Sequence, residues 1–290
     1  MEHSESPPGS RPSYHRRMLT QAEKGRRFRT LHERQATFII PNPWDRGTAR
    51  ILAHLGFEAL ATTSMGYAFS IGLRDCTVGR EKVMAHIEDI ASSVDLPLSA
   101  DLENGFGDAP EDAAETIRRA GAAGAVGGSI EDSTGRPGHP IYDIAQAVDR
   151  IRAAAEAARN LGFAFTLTGR AENYLWGRPD LKDTIARLQA YQEAGANVLY
   201  APGLATRDDI AALVSSVDRP VNVVMGLRDV ELSLADLAAL GVRRISVGSS
   251  LCRTALGAFI RAGQEMRDQG TFTFAKDAAN SREITAIFSE

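Results

Sequence analysis

The chain has 290 residues, 43% of them hydrophobic, and a formal charge of -4, the profile of an ordinary folded protein with one large domain or two smaller ones. Its basic residues are scattered, which argues against a nucleic-acid footprint or a membrane-surface patch and leaves a small molecule as the expected partner. Two cysteines, Cys76 and Cys252, with no CxxC, support neither a disulfide framework nor a cysteine zinc site and fit a reducing cytoplasm.

No run approaches the length of a membrane span, and the first ten residues lack the apolar core of a signal peptide. Composition predicts a flexible segment over 1–20 and one domain over 21–290. From 21 to 34, sparse apolar positions (Phe28, Leu31) among charges predict an exposed helix leading into that domain.

Beyond it a period sets in: a short β-prone run, a loop, an amphipathic helix, then a glycine that stops the helix. Gly56, Gly121, Gly162, Gly195 and Gly241 each close a helical pattern ahead of the next strand, as expected for a left-handed position after a helix. Strands are predicted over 37–40, 59–63, 97–100, 125–130, 164–168, 197–200, 221–224 and 244–247. Ile144, Val148, Ile151 and Ala155 share a helix face, and Thr206 with Asp209 and Ser233 with Asp236 resemble capping boxes. Eight alternations without a linker predict an α/β fold, a single (β/α)8 TIM barrel, rather than a doubly wound sheet. The segment 272–288 is a surplus C-terminal helical element, suited to packing on a neighbouring subunit.

Active sites of such barrels lie at the C-terminal ends of the strands. Unusual polar residues collect there: Asn42, Trp44 and Asp45 after the first strand, Thr62, Thr63 and Ser64 after the second, Asp101 and Glu103 after the third. Glu131 and Asp132 follow the fourth, Arg170, Glu172 and Asn173 the fifth, and the seventh carries Asn222. Carboxylates converging at a concave mouth repel one another without a cation. An oxygen-only donor set without His or Cys selects a hard ion, Mg2+ first and Mn2+ as its substitute, which takes one or two direct carboxylates and keeps waters. In the stretch Asp101-Leu-Glu-Asn-Gly-Phe-Gly107, Asp101 is the expected direct ligand, with Glu103 and Glu131 holding metal waters; a turn or helix-start role is the plainer alternative for Glu131 and Asp132. Arg170, on an otherwise apolar strand, is expected to neutralise one of these carboxylates or a substrate.

These residues resemble the isocitrate lyase and phosphoenolpyruvate mutase superfamily. The resemblance covers 37–263 and rests on Thr62-Thr-Ser-Met-Gly66 with Gly72-Leu-Arg-Asp75, on Asp101-Leu-Glu-Asn-Gly-Phe-Gly107, on Ser129-Ile-Glu-Asp132 and on Gly169-Arg-Ala-Glu172. It implies Mg2+ on Asp101, with Asp75, Glu103 and Glu131 in a water-linked shell. It also implies that backbone groups of Thr63, Ser64 and Met65 and the guanidinium of Arg170 hold a 2-oxo acid, and that dimers or tetramers form by exchange of the eighth helix.

The implied activity is Mg2+-dependent cleavage of a carbon–carbon bond in a small 2-hydroxy or 2-oxo dicarboxylate through a pyruvate-type enolate. The loop after the fourth strand departs from the pattern. Isocitrate and methylisocitrate lyases carry a Lys-Cys-Gly-His-type motif there, and the mutases a lysine and an asparagine. This chain has Ser133-Thr-Gly-Arg-Pro-Gly-His-Pro140. Alternatives therefore stay open: decarboxylation or hydrolysis of an oxaloacetate-like acid, mutase-type phosphorus–carbon chemistry, or a metabolite binder without catalysis. His139 is the loop's one imidazole and a candidate acid or base beside Glu131 and Arg170, an exposed loop histidine being the equal alternative. Arg136 and Tyr142 have the same status. Tyr174 and Trp176 are expected to pack as pocket walls, Cys76 as a small buried side chain and Cys252 as core.

Overall fold

The computed structural model describes residues 18–227 and 230–289. The flexible N-terminal segment expected from composition falls largely on 1–17, outside the described residues; Leu19 and Thr20 are tied down, Leu19 N–H to Asp95 Oδ1 at 2.7 Å and Thr20 as the cap of the first helix.

Helix α1 (Gln21–Glu33) precedes β1 (Phe38–Ile40). Then α2 (Arg46–His54) leads to β2 (Leu60–Ala61), and α3 (Ser64–Ser70) and α4 (Arg80–Ser93) lead to β3 (Leu98–Asp101). From there α5 (Pro110–Ala122), β4 (Gly127–Glu131), α6 (Ile144–Arg159), β5 (Thr166–Arg170), α7 (Leu181–Ala194), β6 (Val198–Tyr200), α8 (Arg207–Ser215), β7 (Val221–Val224), α9 (Leu234–Ala239) and β8 (Arg244–Ser246) alternate strictly. After β8 come α10 (Ser250–Gln269), a 3-10 turn (Thr273–Asp277) and α11 (Ser281–Ser289).

All eight strands run parallel in the order β1-β8-β7-β6-β5-β4-β3-β2, a (β/α)8 barrel that closes at β1 and β2. That seam has no ladder. One backbone bond crosses it, Ala61 N–H to Pro41 O at 3.1 Å. Asn42 supplements it: its Nδ2 donates to Thr62 O at 2.9 Å, while its Oδ1 accepts from the Val247 and Gly248 amides.

Helix α1 corrects the expectation of an exposed leader. Phe28, Leu31, Phe38, Ile40, Ala59 and Val126 form one buried cluster, so α1 plugs the N-terminal end of the barrel. Its Gly25 lies so close to β5's approach that a Cβ there would stand 2.3 Å from Ala164 O. Of the predicted helix stops, Gly121 sits inside α5, where a Cβ would meet Leu161 at 2.9 Å; Gly124, at φ 100°, ends the turn instead. Ser233 and Asp236 cap α9 reciprocally, whereas Thr206 caps α8 only by accepting from the Asp209 amide. The C-terminal α11 folds back on α2 of its own chain, with the Arg50 guanidinium 5.4 Å from the Phe288 ring. Among the described residues no helix is long and apolar enough to cross a membrane.

Candidate active site

Strand alternation aims every second side chain into the barrel. On β3 this puts Ser99 and Asp101 inside, on β4 Ser129 and Glu131, on β5 Thr168 and Arg170. The register pairs Asp101 with Ser129 and Glu131 with Arg170, so the acidic and basic ends meet at one level. A cavity of about 250 Å3 opens there, lined among others by Thr63, Ser64, Met65, Asp75, Asp101 and Arg170.

Arg170 is the hub. Its Nη1 stands 3.5 Å from Asp101 Oδ1 and 3.3 Å from Glu131 Oε2, and its Nε donates to Glu172 Oε1. The Tyr200 ring lies 5.2 Å from the guanidinium. These carboxylates hold Arg170 well above its ordinary range against the opposing effect of burial. Burial in turn raises Glu131 and Glu172, with Arg170 opposing in both.

Asp101 is placed from its other side by the start of α3. Thr63 caps that helix, the Ser64 amide donates to Asp101 Oδ2 at 3.1 Å, and Asp101's own amide donates to Thr62 Oγ1 at 2.8 Å. Glu103 follows at φ 49°, a left-handed backbone uncommon for a residue with a side chain, and its buried Oε1 has no hydrogen-bond partner. Burial pushes the Glu103 carboxyl up to about 8, with the charges of Asp101 and Asp75 adding and Arg170 opposing. Asp75 is raised by burial and by Asp101.

A buried carboxylate oxygen without a protein partner, beside two further acids, calls for a water, a proton or a cation. Among the described residues no three of His, Cys, Asp or Glu stand close enough to ligate one ion directly.

Other expected residues part company with the site. Asp132, next to Glu131, faces outward, as strand alternation requires: Oδ2 accepts from Tyr191 Oη at 2.6 Å and Arg187 Nη1 at 3.1 Å, and Oδ1 from the Glu172 amide. It joins β4 to α7 and is no part of the acidic mouth. The Asn173 Nδ2 donates to Thr184 Oγ1, and Asp45 caps α2. His139 lies exposed in the loop after β4, its amide on Arg136 O, and does not line the cavity. That loop is pinned: Arg136 pairs with Asp108 at 2.6 Å, Tyr142 Oη donates to Asp108 Oδ1 at 2.5 Å, and Trp176 Nε1 donates to Ser133 Oγ at 3.1 Å. Cys76 is exposed rather than buried, at φ 59°, and burial around its thiol with the neighbouring acids pushes its pKa up, so it is no ready nucleophile. Asn222 does line the cavity, together with Tyr200, Arg244 and Ser246, which sequence reasoning missed.

The family model for phosphoenolpyruvate phosphomutase matches residues 28–267. A solved structure, "putative lyase/mutase from Burkholderia cenocepacia J2315", is 61% identical, covers 93% of this chain and 97% of that one, and superposes with a TM-score of 0.91. The 2-methylisocitrate lyase of Escherichia coli is 31% identical over 61% of each chain. The oxaloacetate decarboxylase of Paraburkholderia xenovorans is 29% identical over 81% of this chain and 78% of its own. The chain belongs to the phosphoenolpyruvate phosphomutase family, within the isocitrate lyase/PEP mutase superfamily of carbon–carbon lyases and mutases.

Proposed function

We propose that the chain is a Mg2+-dependent lyase that cleaves a carbon–carbon bond in a small 2-hydroxy or 2-oxo dicarboxylate, leaving a pyruvate-type enolate. The observation that carries this reading is the Asp101–Glu103–Arg170 arrangement: an acid fixed by the Ser64 amide, an orphaned buried carboxylate oxygen, and a guanidinium at the same level. Asp101 would hold the ion directly, and Asp75, Glu103 and Glu131 its waters. Bound there, the ion supplies a positive charge for the oxygen on which the enolate charge develops.

The chain's own residues do the rest. Arg170 neutralises the substrate's near carboxylate and fixes its orientation, and the Thr63–Met65 backbone at the start of α3 offers further N–H donors. The carboxylates on Arg170 keep its side chain in one rotamer, so little is lost when substrate arrives. Calorimetry with oxalate tests the reading: binding should require Mg2+ and vanish in Asp101→Ala. Metal-independent oxalate binding, or unchanged affinity in that variant, defeats it.

A second reading, decarboxylation or hydrolysis of an oxaloacetate-like acid, is favoured by one observation. The loop carries no cysteine, and its His139 stands outside the cavity. Loss of carbon dioxide needs no side chain to remove a proton from a hydroxyl, so the same metal and Arg170 suffice. The homo-oligomer expected for the chain has its support in α10, where Cys252 is the one buried residue while Phe259 and Ile260 are 77% and 55% exposed. An unpartnered apolar face of that size belongs against a second copy, which light scattering as a monomer would exclude. A cytoplasmic location accords with two unpaired cysteines.

A further inference from the structure

Below the level of Arg170 the interior of the barrel is polar. Ser99, Ser129, Thr168, Asn222 and Ser246 stand where such barrels ordinarily carry branched apolar side chains. Among them, 5% exposed, lies Arg244, the first residue of β8. Its Nε donates to Asn222 Oδ1 at 2.8 Å and its Nη2 to Thr168 Oγ1 at 3.1 Å; its Nη1 stands 3.5 Å from His32 Nε2. His32 Nδ1 is 2.8 Å from the Phe28 carbonyl, so Nδ1 carries the proton and Nε2 is left to accept. Among the described residues every hydrogen-bond partner of Arg244 is therefore neutral.

The other arginines that lie partly or wholly inside the protein differ. Arg170 has three carboxylates, and Arg187 has Asp132 and Asp183. Arg150 is held by the carbonyls of Gly107, Ala109 and Asn104 and stays outside the cavity. Arg244 lines the cavity that Asp101 and Arg170 line above it. Burial brings it down to about 10, with Tyr200 alone opposing.

A guanidinium has five N–H donors. Three are engaged here, which leaves two on the Nη atoms for a ligand. A buried cation without an anion is strongly unfavourable. That cost is removed when an anion arrives, and an anion confined to a small cavity also feels the charge with little screening.

We propose that Arg244 binds the far carboxylate of the substrate. The dianion then enters the barrel with its 2-oxygen end at Asp101 and Arg170 and its second carboxylate pointing down toward Asn222, Ser246 and Arg244. This rests on the dicarboxylate reading above and extends it by assigning the residue that distinguishes a dicarboxylic from a monocarboxylic acid. It also gives the direction in which the chain of the substrate runs, into the barrel and away from the loop that bears His139.

The test compares malate with lactate, which differ by one carboxylate, in the Mg2+-loaded full chain by calorimetry, with oxalate as the ligand too short to reach Arg244. Wild-type protein should bind malate about tenfold to a hundredfold more tightly than lactate, the range of one hydrogen bond to a charged group. In Arg244→Gln that preference should fall to near unity while lactate and oxalate affinities hold. Arg244→Met should lose the preference too, with a Tm at or above wild type, since it removes an uncompensated buried charge; a merely structural arginine would lower the Tm and weaken all three ligands alike. Equal weakening of malate and lactate, or no wild-type preference, overturns the assignment. Failure of oxalate to bind wild-type protein defeats the metal reading instead, and an Arg244-dependent malate preference would survive it.

Discussion

Glu131 and Arg170 are paired residue to residue on β4 and β5, and their side chains meet 3.3 Å apart inside the barrel. Among the described residues, the guanidinium is the cation that Glu131, Glu172 and Asp101 share. Arg170→Gln should therefore lose stability as well as catalysis, by about 3–5 kcal/mol, the usual result of stripping one partner from a buried ion pair. Arg170→Lys should recover much of the stability and little of the activity, because an ammonium lacks the planar fork. Urea denaturation of both variants, beside turnover, checks this; a Gln variant as stable as wild type would show that the three acids do not depend on Arg170.

His86 is stacked on Tyr67 at 3.8 Å between ring centroids, buried, with its Nε2 unpartnered. Burial lowers its pKa to about 4, with Asp89 and Asp45 opposing. The unfolded chain takes up this proton below its ordinary value of about 6.5 and the folded chain only below about 4. Between those limits the unfolded state binds more protons, so stability falls as the pH falls. His86→Phe should flatten the Tm profile over that window. It should also raise stability at neutral pH by about 1 kcal/mol, since the orphaned nitrogen is gone and the stack remains.

The two reactions part at His139. If the loop supplies an acid or base to carbon–carbon cleavage, His139→Ala should lower kcat by about 10²–10⁴. If the reaction is decarboxylation, kcat should stay within about twofold of wild type, the residue being exposed and outside the cavity. Steady-state kinetics on an oxaloacetate-like acid separates the two. In either case the Tm should not move, because surface residues of this kind contribute within about 0.5 kcal/mol.

Gly25 offers a check on the plug. Gly25→Ala would set a Cβ 2.3 Å from a backbone oxygen that has nowhere to go, forcing α1 away from β5. A cost of about 1–3 kcal/mol is expected. Full stability in that variant would mean that α1 is a detachable leader after all.

Much of this architecture was legible because each strand and helix announces itself by a period and a stop. The eight predicted strands agree with the observed ones to within two residues at either end, and the seventh matches at both ends. Helix α1 reads as exposed because Phe28 and Leu31 are few, yet the end of a barrel is narrow and few apolar side chains fill it. At the site, Asp101, Glu103, Glu131 and Arg170 are readable as acids and a base after strands, whereas Asp75, which follows α3, enters only through the family resemblance. Asp132 shares their position in the sequence, but as the neighbour of Glu131 it faces the opposite way, onto Tyr191 and Arg187. Arg244 and Ser246 flank Ile245, which points out of the barrel wall. That alternation was readable, but only the closed barrel shows that its polar side is the floor of a cavity.

The seam between β1 and β2 is held by one backbone bond and the amide side chain of Asn42. Asn42 ties both edges, through Thr62 on one side and the Val247 and Gly248 amides on the other. Thr62 also accepts the Asp101 amide, and the Ser64 amide two residues on grips the Asp101 carboxylate. Any breathing of the wall at this point is therefore transmitted to the acid at the heart of the site. Amide exchange should enter the barrel along this line first, and its rate would report how firmly the chain holds Asp101 before any ligand is added.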